Sequence, residues 1–257
     1  VDIVSSTRNP EARLIRALSS DKKEREKTSL YVVEGYNILK DLDSFEGKLY
    51  IREDKAEKFI PLAERLKAEY KILAEFVFDY AADAVNSGGV LAVMPIKKPE
   101  ALSGDVIVLD GVSDAGNVGT IVRTAAAMGI KDVISIDSAD FYNPKAVRAA
   151  MGGLFKINPI SYNSREEALS ALSGYTVASL DMKGEDVYYY EPPGRLALAV
   201  GSEVGGVSEE FLKASSKILS VPMPGGMESL NAAVSLSIAL SVITHRKDSY
   251  VRSQQMG

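Results

Sequence analysis

Three apolar runs in the second half of the chain, VIVLD, LALAVG and ILSVP, each break off into small and polar residues: GVSDAGN, SEVGG and MPGGMESLN. Continuous apolar runs of this length, without polar alternation, belong to strands buried on both faces, as in a parallel sheet covered by helices. Open parallel sheets bind ligands outside the carboxyl ends of their strands, so the three loops are expected to converge on one site. Between VIVLD and the next apolar run, KDVISID, stands the helical pattern NVGTIVRTAAAMG, which makes a βαβ unit with parallel strands. The strand-like run YTVASLDM and a closing helical run, SLNAAVSLSIALSVITHRK, complete this part.

The first part of the chain alternates elements on a smaller scale. Asn9 and Pro10 are a helix cap and a first-turn proline, and Leu14, Ile15 and Leu18 follow at helical spacing. DKKEREKTS reads as a charged turn, LYVVEG as a strand and YNILKDL as a helix. KLYI, a helix around DKAEKFIPLAERLKAEY, YKILAEF and GVLAVMPI continue the pattern. IKKPEALSG has the composition of a linker. A length of 257 residues suits two domains, so the reading is a small α/β domain over 1–98 and a larger α/β domain over 99–257.

Composition removes several kinds of chemistry. The chain has no cysteine, which excludes disulfides, thiolate nucleophiles and cysteine-bound metals, and no metal is expected. Its one histidine, His245, lies in the basic end of the last helical run and reads as a capping or surface residue. No apolar run reaches the roughly 20 residues that cross a bilayer, and no signal-like segment opens the sequence, so a cytoplasmic protein without membrane attachment is expected. A net charge of -5 argues weakly against nucleic acid. Locally, however, residues 8–27 carry Arg8, Arg13, Arg16, Lys22, Lys23, Arg25 and Lys27 against four acids, enough for a basic face at one end.

Within the three loops, Asn117 is placed to cap the helix that carries Gly119 and Arg123. Arg123 falls about two turns on, with Thr120 and Ala127, on a face expected to pack closely and to give the arginine a polar partner. Gly201, Ser202, Glu203, Gly205 and Gly206 form a turn that offers backbone amides and close approach. Pro222 and Pro224 stop a strand, Gly225 and Gly226 turn the chain, and Ser229 and Asn231 start a helix. Each feature also has an ordinary structural explanation, as packing glycine, solvated acid or helix cap. Their order and joint occurrence carry the argument.

The series N-x-G-x-I-x-R-T-A, G-S-E-x-x-G and V-P-M-P-x-x-x-x-S-L-N-x-A-V resembles the three motifs of the SpoU branch of the SPOUT methyltransferases, over roughly residues 105–245. The stretch from STRNPEARLIRAL through YVVEGYNIL resembles that family's ribosomal-protein-like substrate-binding domain. Ala115 and Gly116 stand where many members carry proline and another residue. The resemblance implies a C-terminal trefoil-knotted parallel-sheet domain, a topology that sequence pattern alone would not suggest. It also implies a homodimer whose active site draws on both subunits. Asn117, Arg123, Glu203, Ser229 and Asn231 fall on the family's polar active-site positions, and Gly201, Met223, Ser229 and Leu230 on the loops that cradle S-adenosylmethionine.

The implied reaction is methyl transfer from S-adenosylmethionine to a ribose 2′-hydroxyl in RNA, with ribosomal RNA preferred over transfer RNA. Arginine is a poor base because its pKa exceeds about 12, so Arg123 is expected to polarise the hydroxyl and stabilise developing alkoxide. Glu203 is expected to pair with it and hold its plane. Arg8 and Arg148 are candidates for RNA phosphate contacts. Two alternatives fit the sequence less well. A nicotinamide dehydrogenase lacks its G-x-G-x-x-G spacing here. An inactive RNA-binding protein of the same fold would not be expected to keep all five polar positions.

Overall fold

The computed structural model describes residues 3–83, 88–191 and 194–255. It divides into two compact units: Val1–Lys98 with Tyr142–Gly152, and Pro99–Phe141 with Gly153–Gly257.

The first unit contains β1 (Ile3–Val4), α1 (Pro10–Ser20), α2 (Lys22–Thr28), β2 (Leu30–Glu34), α3 (Tyr36–Leu39), β3 (Lys48–Arg52), α4 (Ala56–Leu66), β4 (Glu69–Leu73), α5 (Glu75–Ala81) and β5 (Val90–Pro95). Its five-stranded sheet runs in the order β1-β4-β3-β5-β2. The β1–β4 and β4–β3 pairs are parallel, while β5 runs antiparallel to both neighbours. Ala12, Ile15 and Leu18 of α1 pack with Val77, Phe78 and Ala81 of α5 in the core on this sheet. Asn9 caps α1 by accepting the Glu11 amide at 2.9 Å.

Two details depart from the sequence reading. The charged turn is a helix, α2, because the Asp21 side chain accepts the Lys23 amide at 2.8 Å and charges pair along the helix, Lys22 with Glu26 and Lys27 with Glu24. Arg25 leaves the expected basic face altogether. It is buried and donates to the Leu18 carbonyl at 2.6 Å.

The second unit contains β6 (Val106–Asp110), α6 (Ala115–Ala127), β7 (Asp132–Ile136), β8 (Asn158–Ser161), α8 (Arg165–Ala171), β9 (Thr176–Asp186), β10 (Leu196–Gly201), α9 (Glu209–Ala214), β11 (Lys217–Ser220) and α10 (Ala232–Gln255). One further helix, α7 (Pro144–Ala150), follows β7 in sequence but belongs to the first unit. The expected contiguous span of 99–257 is thus interrupted. The reason is packing: α7 buries Pro144, Ala146, Val147 and Ala150 and lies on β2.

The six-stranded sheet, in the order β11-β9-β10-β6-β7-β8, is parallel throughout. The chain moves outward from β6 to β8 on one side and occupies β10, β9 and β11 on the other. The strand order therefore switches direction between β6 and β10, where such sheets open a crevice. Val106, Val108, Ile134, Ala197, Ala199 and Phe211 form part of the core. No helix among the described residues is long and apolar enough to cross a membrane.

Candidate active site

The loops after β6, β10 and β11 meet through side-chain hydrogen bonds. Asn117 donates its amide to Glu203, and Asn231 donates to the Asn117 carbonyl oxygen at 3.0 Å. One residue from each loop is thereby tied into a single chain. Asn117 does not cap α6, as the sequence suggested. Asp114 does, accepting the Asn117 amide at 3.0 Å, which leaves the Asn117 side chain at the third helical position free to make these bonds. Asn231 is a true cap of α10, accepting the Ala233 and Val234 amides at 3.0 and 3.3 Å.

Beside this chain lies a cleft of about 240 Å³, lined by Gly201, Met223, Ser229 and Leu230, together with Asp181 and Ser202 among others. Its wall is built by glycine. A Cβ on Gly201 would overlap the Gly206 carbonyl, and Gly206 itself has φ +66°. Ser202 and Gly206 close the turn with reciprocal backbone bonds of 3.1 and 3.0 Å, and the Ser202 hydroxyl accepts the Gly205 amide at 2.9 Å. Gly201 therefore lets the loop fold back tightly on itself beside the cleft. Behind it, the buried Asp110 carboxylate accepts the Ser208 amide at 2.7 Å and pairs with Arg165 at 2.9 Å, pinning the end of the loop to β6.

Asp181 and Met182 reach the cleft through a break in the sheet. The β9–β11 register jumps from Ser179↔Ile218 to Glu185↔Leu219, so residues between them bulge out of the ladder. Gly184 permits the recovery, since a Cβ there would stand 2.5 Å from the Leu219 carbonyl carbon. Ser202 lines the cleft within the turn that the sequence singled out, whereas sequence reasoning missed Asp181 and Met182, which carry no local signal.

Arg123 is not brought to this group. It is exposed, as are Thr120 and Ala127 on the same face, and among the described residues no hydrogen bond or ion pair holds its guanidinium. The expected close packing and the expected pairing with Glu203 are both absent, because Glu203 accepts from Asn117 instead. Being exposed, the arginine has no buried charge to satisfy. On the neighbouring helix α10, the Ser237 hydroxyl bonds Thr124 at 3.0 Å, while Val234 is 45% exposed and Ile238 and Val242 are half-buried.

Of the two candidate RNA contacts, Arg8 is exposed in the turn before α1. Arg148 is committed within the first unit to Asp83 at 2.9 Å and to the buried Glu34 at 3.4 Å, so it is a structural ion pair rather than an open phosphate contact. Among the described residues, no cluster of three or more histidine, cysteine or acidic side chains could hold a metal ion.

A family profile described as "SpoU rRNA Methylase family" matches residues 105–241. The chain is 32% identical to the 23S rRNA (guanosine(2553)-2′-O)-methyltransferase RlmP of Bacillus subtilis, over 91% of its own length and 96% of the relative's. It is 44% identical to the 23S rRNA (adenosine(1067)-2′-O)-methyltransferase of Streptomyces azureus, a match that spans only 53% of each protein. Among solved structures, an AdoMet-bound rRNA methyltransferase from Sinorhizobium meliloti superposes with a TM-score of 0.81 at 25% identity, covering 96% of this chain and 98% of that one. The SpoU methyltransferase AviRb from Streptomyces viridochromogenes, at 21% identity and a TM-score of 0.83 over 94% and 99% of the two chains, has the same fold.

Proposed function

The chain belongs to the SpoU rRNA methylase family and is an S-adenosylmethionine-dependent RNA ribose 2′-O-methyltransferase; from that premise, we propose that it acts on ribosomal RNA as a homodimer in the cytoplasm and that its loops divide the work as follows. The observation that carries this reading is the Glu203–Asn117–Asn231 chain set beside the glycine-walled cleft.

The cleft suits S-adenosylmethionine in shape and donor chemistry. Gly201 and the turn to Gly206 give backbone access, Met223 and Leu230 give apolar surface, and Ser229 gives a hydroxyl. Bound there, the donor supplies a methyl group already activated by a sulfonium. The protein's own task is to orient the ribose hydroxyl and stabilise charge on its oxygen. Asn117 and Asn231 present fixed amides, and Glu203 fixes the Asn117 amide in turn. Orientation of this kind supplies about 7–11 kcal/mol when reacting atoms are held near attack distance.

Arg123 is assigned to the hydroxyl, where a guanidinium stabilises developing alkoxide. Its solvent exposure, on a face flanked by the half-exposed apolar stripe of α10, supports a role completed by a second copy of the chain. The first unit, with Arg8 and its basic N-terminal helices, is assigned to gripping folded RNA through backbone and shape.

The test is transfer of labelled methyl from S-adenosylmethionine to bulk ribosomal and transfer RNA, followed by mapping of 2′-O-methyl sites. Labelling of one ribosomal RNA nucleotide is expected. Labelling of transfer RNA alone would overturn the substrate, and binding without transfer would point to an inactive RNA-binding member of the fold.

A further inference from the structure

With no bond on its guanidinium among the described residues, Arg123 is located by its backbone. What touches that backbone is Gly153, a buried residue that opens the 3₁₀ turn Gly153–Phe155. A Cβ at this position would lie 3.0 Å from the Arg123 Cα, 3.3 Å from its amide nitrogen and 3.2 Å from the Val122 carbonyl oxygen. Gly153 does not have the positive φ that makes glycine necessary elsewhere. Its smallness serves only to let two backbones approach, and a side chain would have to displace α6 by a few tenths of an ångström.

The chain enters Gly153 through a tight local turn. Helix α7 is held by the Arg148 ion pairs and by a ring contact between Tyr142 and Tyr31 at 4.9 Å. From its end the chain reaches Gly153 in two residues, Met151 and Gly152, both left-handed at φ +47° and +85°. The Met151 amide closes that turn on the Arg148 carbonyl at 3.2 Å.

We propose that Gly153 is a positioning residue for Arg123: its backbone sets where α6 presents the arginine to the ribose hydroxyl. The proposal rests on the reading of Arg123 given above. Gly153 lies outside the cleft wall, so cofactor binding is independent of it.

The test compares Gly153→Ala, Arg123→Ala and the double variant by single-turnover methyl transfer at saturating RNA, with S-adenosylmethionine affinity measured by calorimetry. Gly153→Ala is expected to slow transfer by about 10-fold or more, since misplacement by 1 Å costs about 100-fold, while cofactor affinity stays within about twofold. In the Arg123→Ala background, it should add no further loss. A Gly153→Ala rate equal to wild type, with Arg123→Ala slow, would overturn the positioning role and leave the arginine in place. A full additive loss in the double variant would equally overturn it, because Gly153 would then act on the fold at large. A normal rate for Arg123→Ala would overturn the reading of the arginine itself. Should Gly153→Ala fail to fold, Met151→Gly loosens the left-handed turn that leads into Gly153, at an exposed residue and without adding bulk. It is expected to slow transfer about threefold only where Arg123 is present, and equal rates in that variant and wild type would overturn the proposal.

Discussion

Arg123→Ala should leave S-adenosylmethionine affinity within a few fold while single-turnover methyl transfer falls by about 100-fold or more, the scale seen when one transition-state charge stabiliser is removed. Arg123→Lys should rescue poorly, because an ammonium cannot reproduce the planar forked donors. The separation is expected because Arg123 lies outside the residues that line the cleft. At this scale, the sequence was legible where chemistry demands a particular residue at a particular spacing. Asn117, Glu203 and Asn231 stood out in their motifs, and the structure bonds all three together. It was not legible where a residue's importance comes from what happens to lie against it. Asp181 reaches the cleft through a register jump in β9, and Gly153 touches Arg123 across 30 positions of sequence. No local pattern encodes either. The error over Arg123 has a related cause: small neighbours such as Thr120 and Ala127 suggested tight packing, but they serve an open face.

Among the elements, α10 shows how much periodicity alone can say. Its apolar residues outnumber what one buried face needs. Leu236, Ala239, Leu240 and Ile243 are buried, whereas Val234 is 45% exposed and Ile238 and Val242 are half-buried along another stripe. Ile238→Lys should therefore convert the protein to a monomer in light scattering and sharply reduce activity while leaving its circular dichroism unchanged; a persistent dimer would move the interface elsewhere. Strand β7 carries a different prediction at its first residue, Asp132. Burial pushes that carboxyl up, but the Ser103 amide, the Asn158 side chain, the Gly104 amide and the Ser103 hydroxyl outweigh it and hold the pKa below its usual value. A lowered folded-state pKa gives stability that is present above the unfolded value, about 3.9, and is lost as pH falls through the folded one. Urea melts below about pH 4 should show a shallower loss of stability in Asp132→Asn than in the parent, with the contribution of the similarly lowered Glu11 retained in both. Parallel slopes would show that the hydrogen bonds do not discriminate between the charged and neutral acid.

At the scale of the molecule, the βαβ pattern, the linker composition near Pro99 and the glycine loops led to two α/β units, yet the place of α7 escaped notice. Its sequence, PKAVRAA, is a helix in either unit, and only its packing on β2 decides to which unit it belongs. A fragment beginning at Pro99 would carry that helix without its partner, leaving Val147 and Ala146 uncovered and Arg148 without Glu34 or Asp83. Such a fragment is expected to aggregate or to melt well below the full chain in a thermal scan, whereas one that also replaces Val147 with a polar residue should be easier to keep in solution. A monodisperse fragment with the parent's melting temperature would show that the second unit folds without α7 being packed on β2. The same arrangement bears on inheritance. Two modules joined once, end to end, can be exchanged by a single recombination at the joint, but here the smaller unit owns a stretch of the larger one's gene segment. Any replacement for residues 1–98 would have to match a helix encoded further along the chain, which ties the diversification of the two units together.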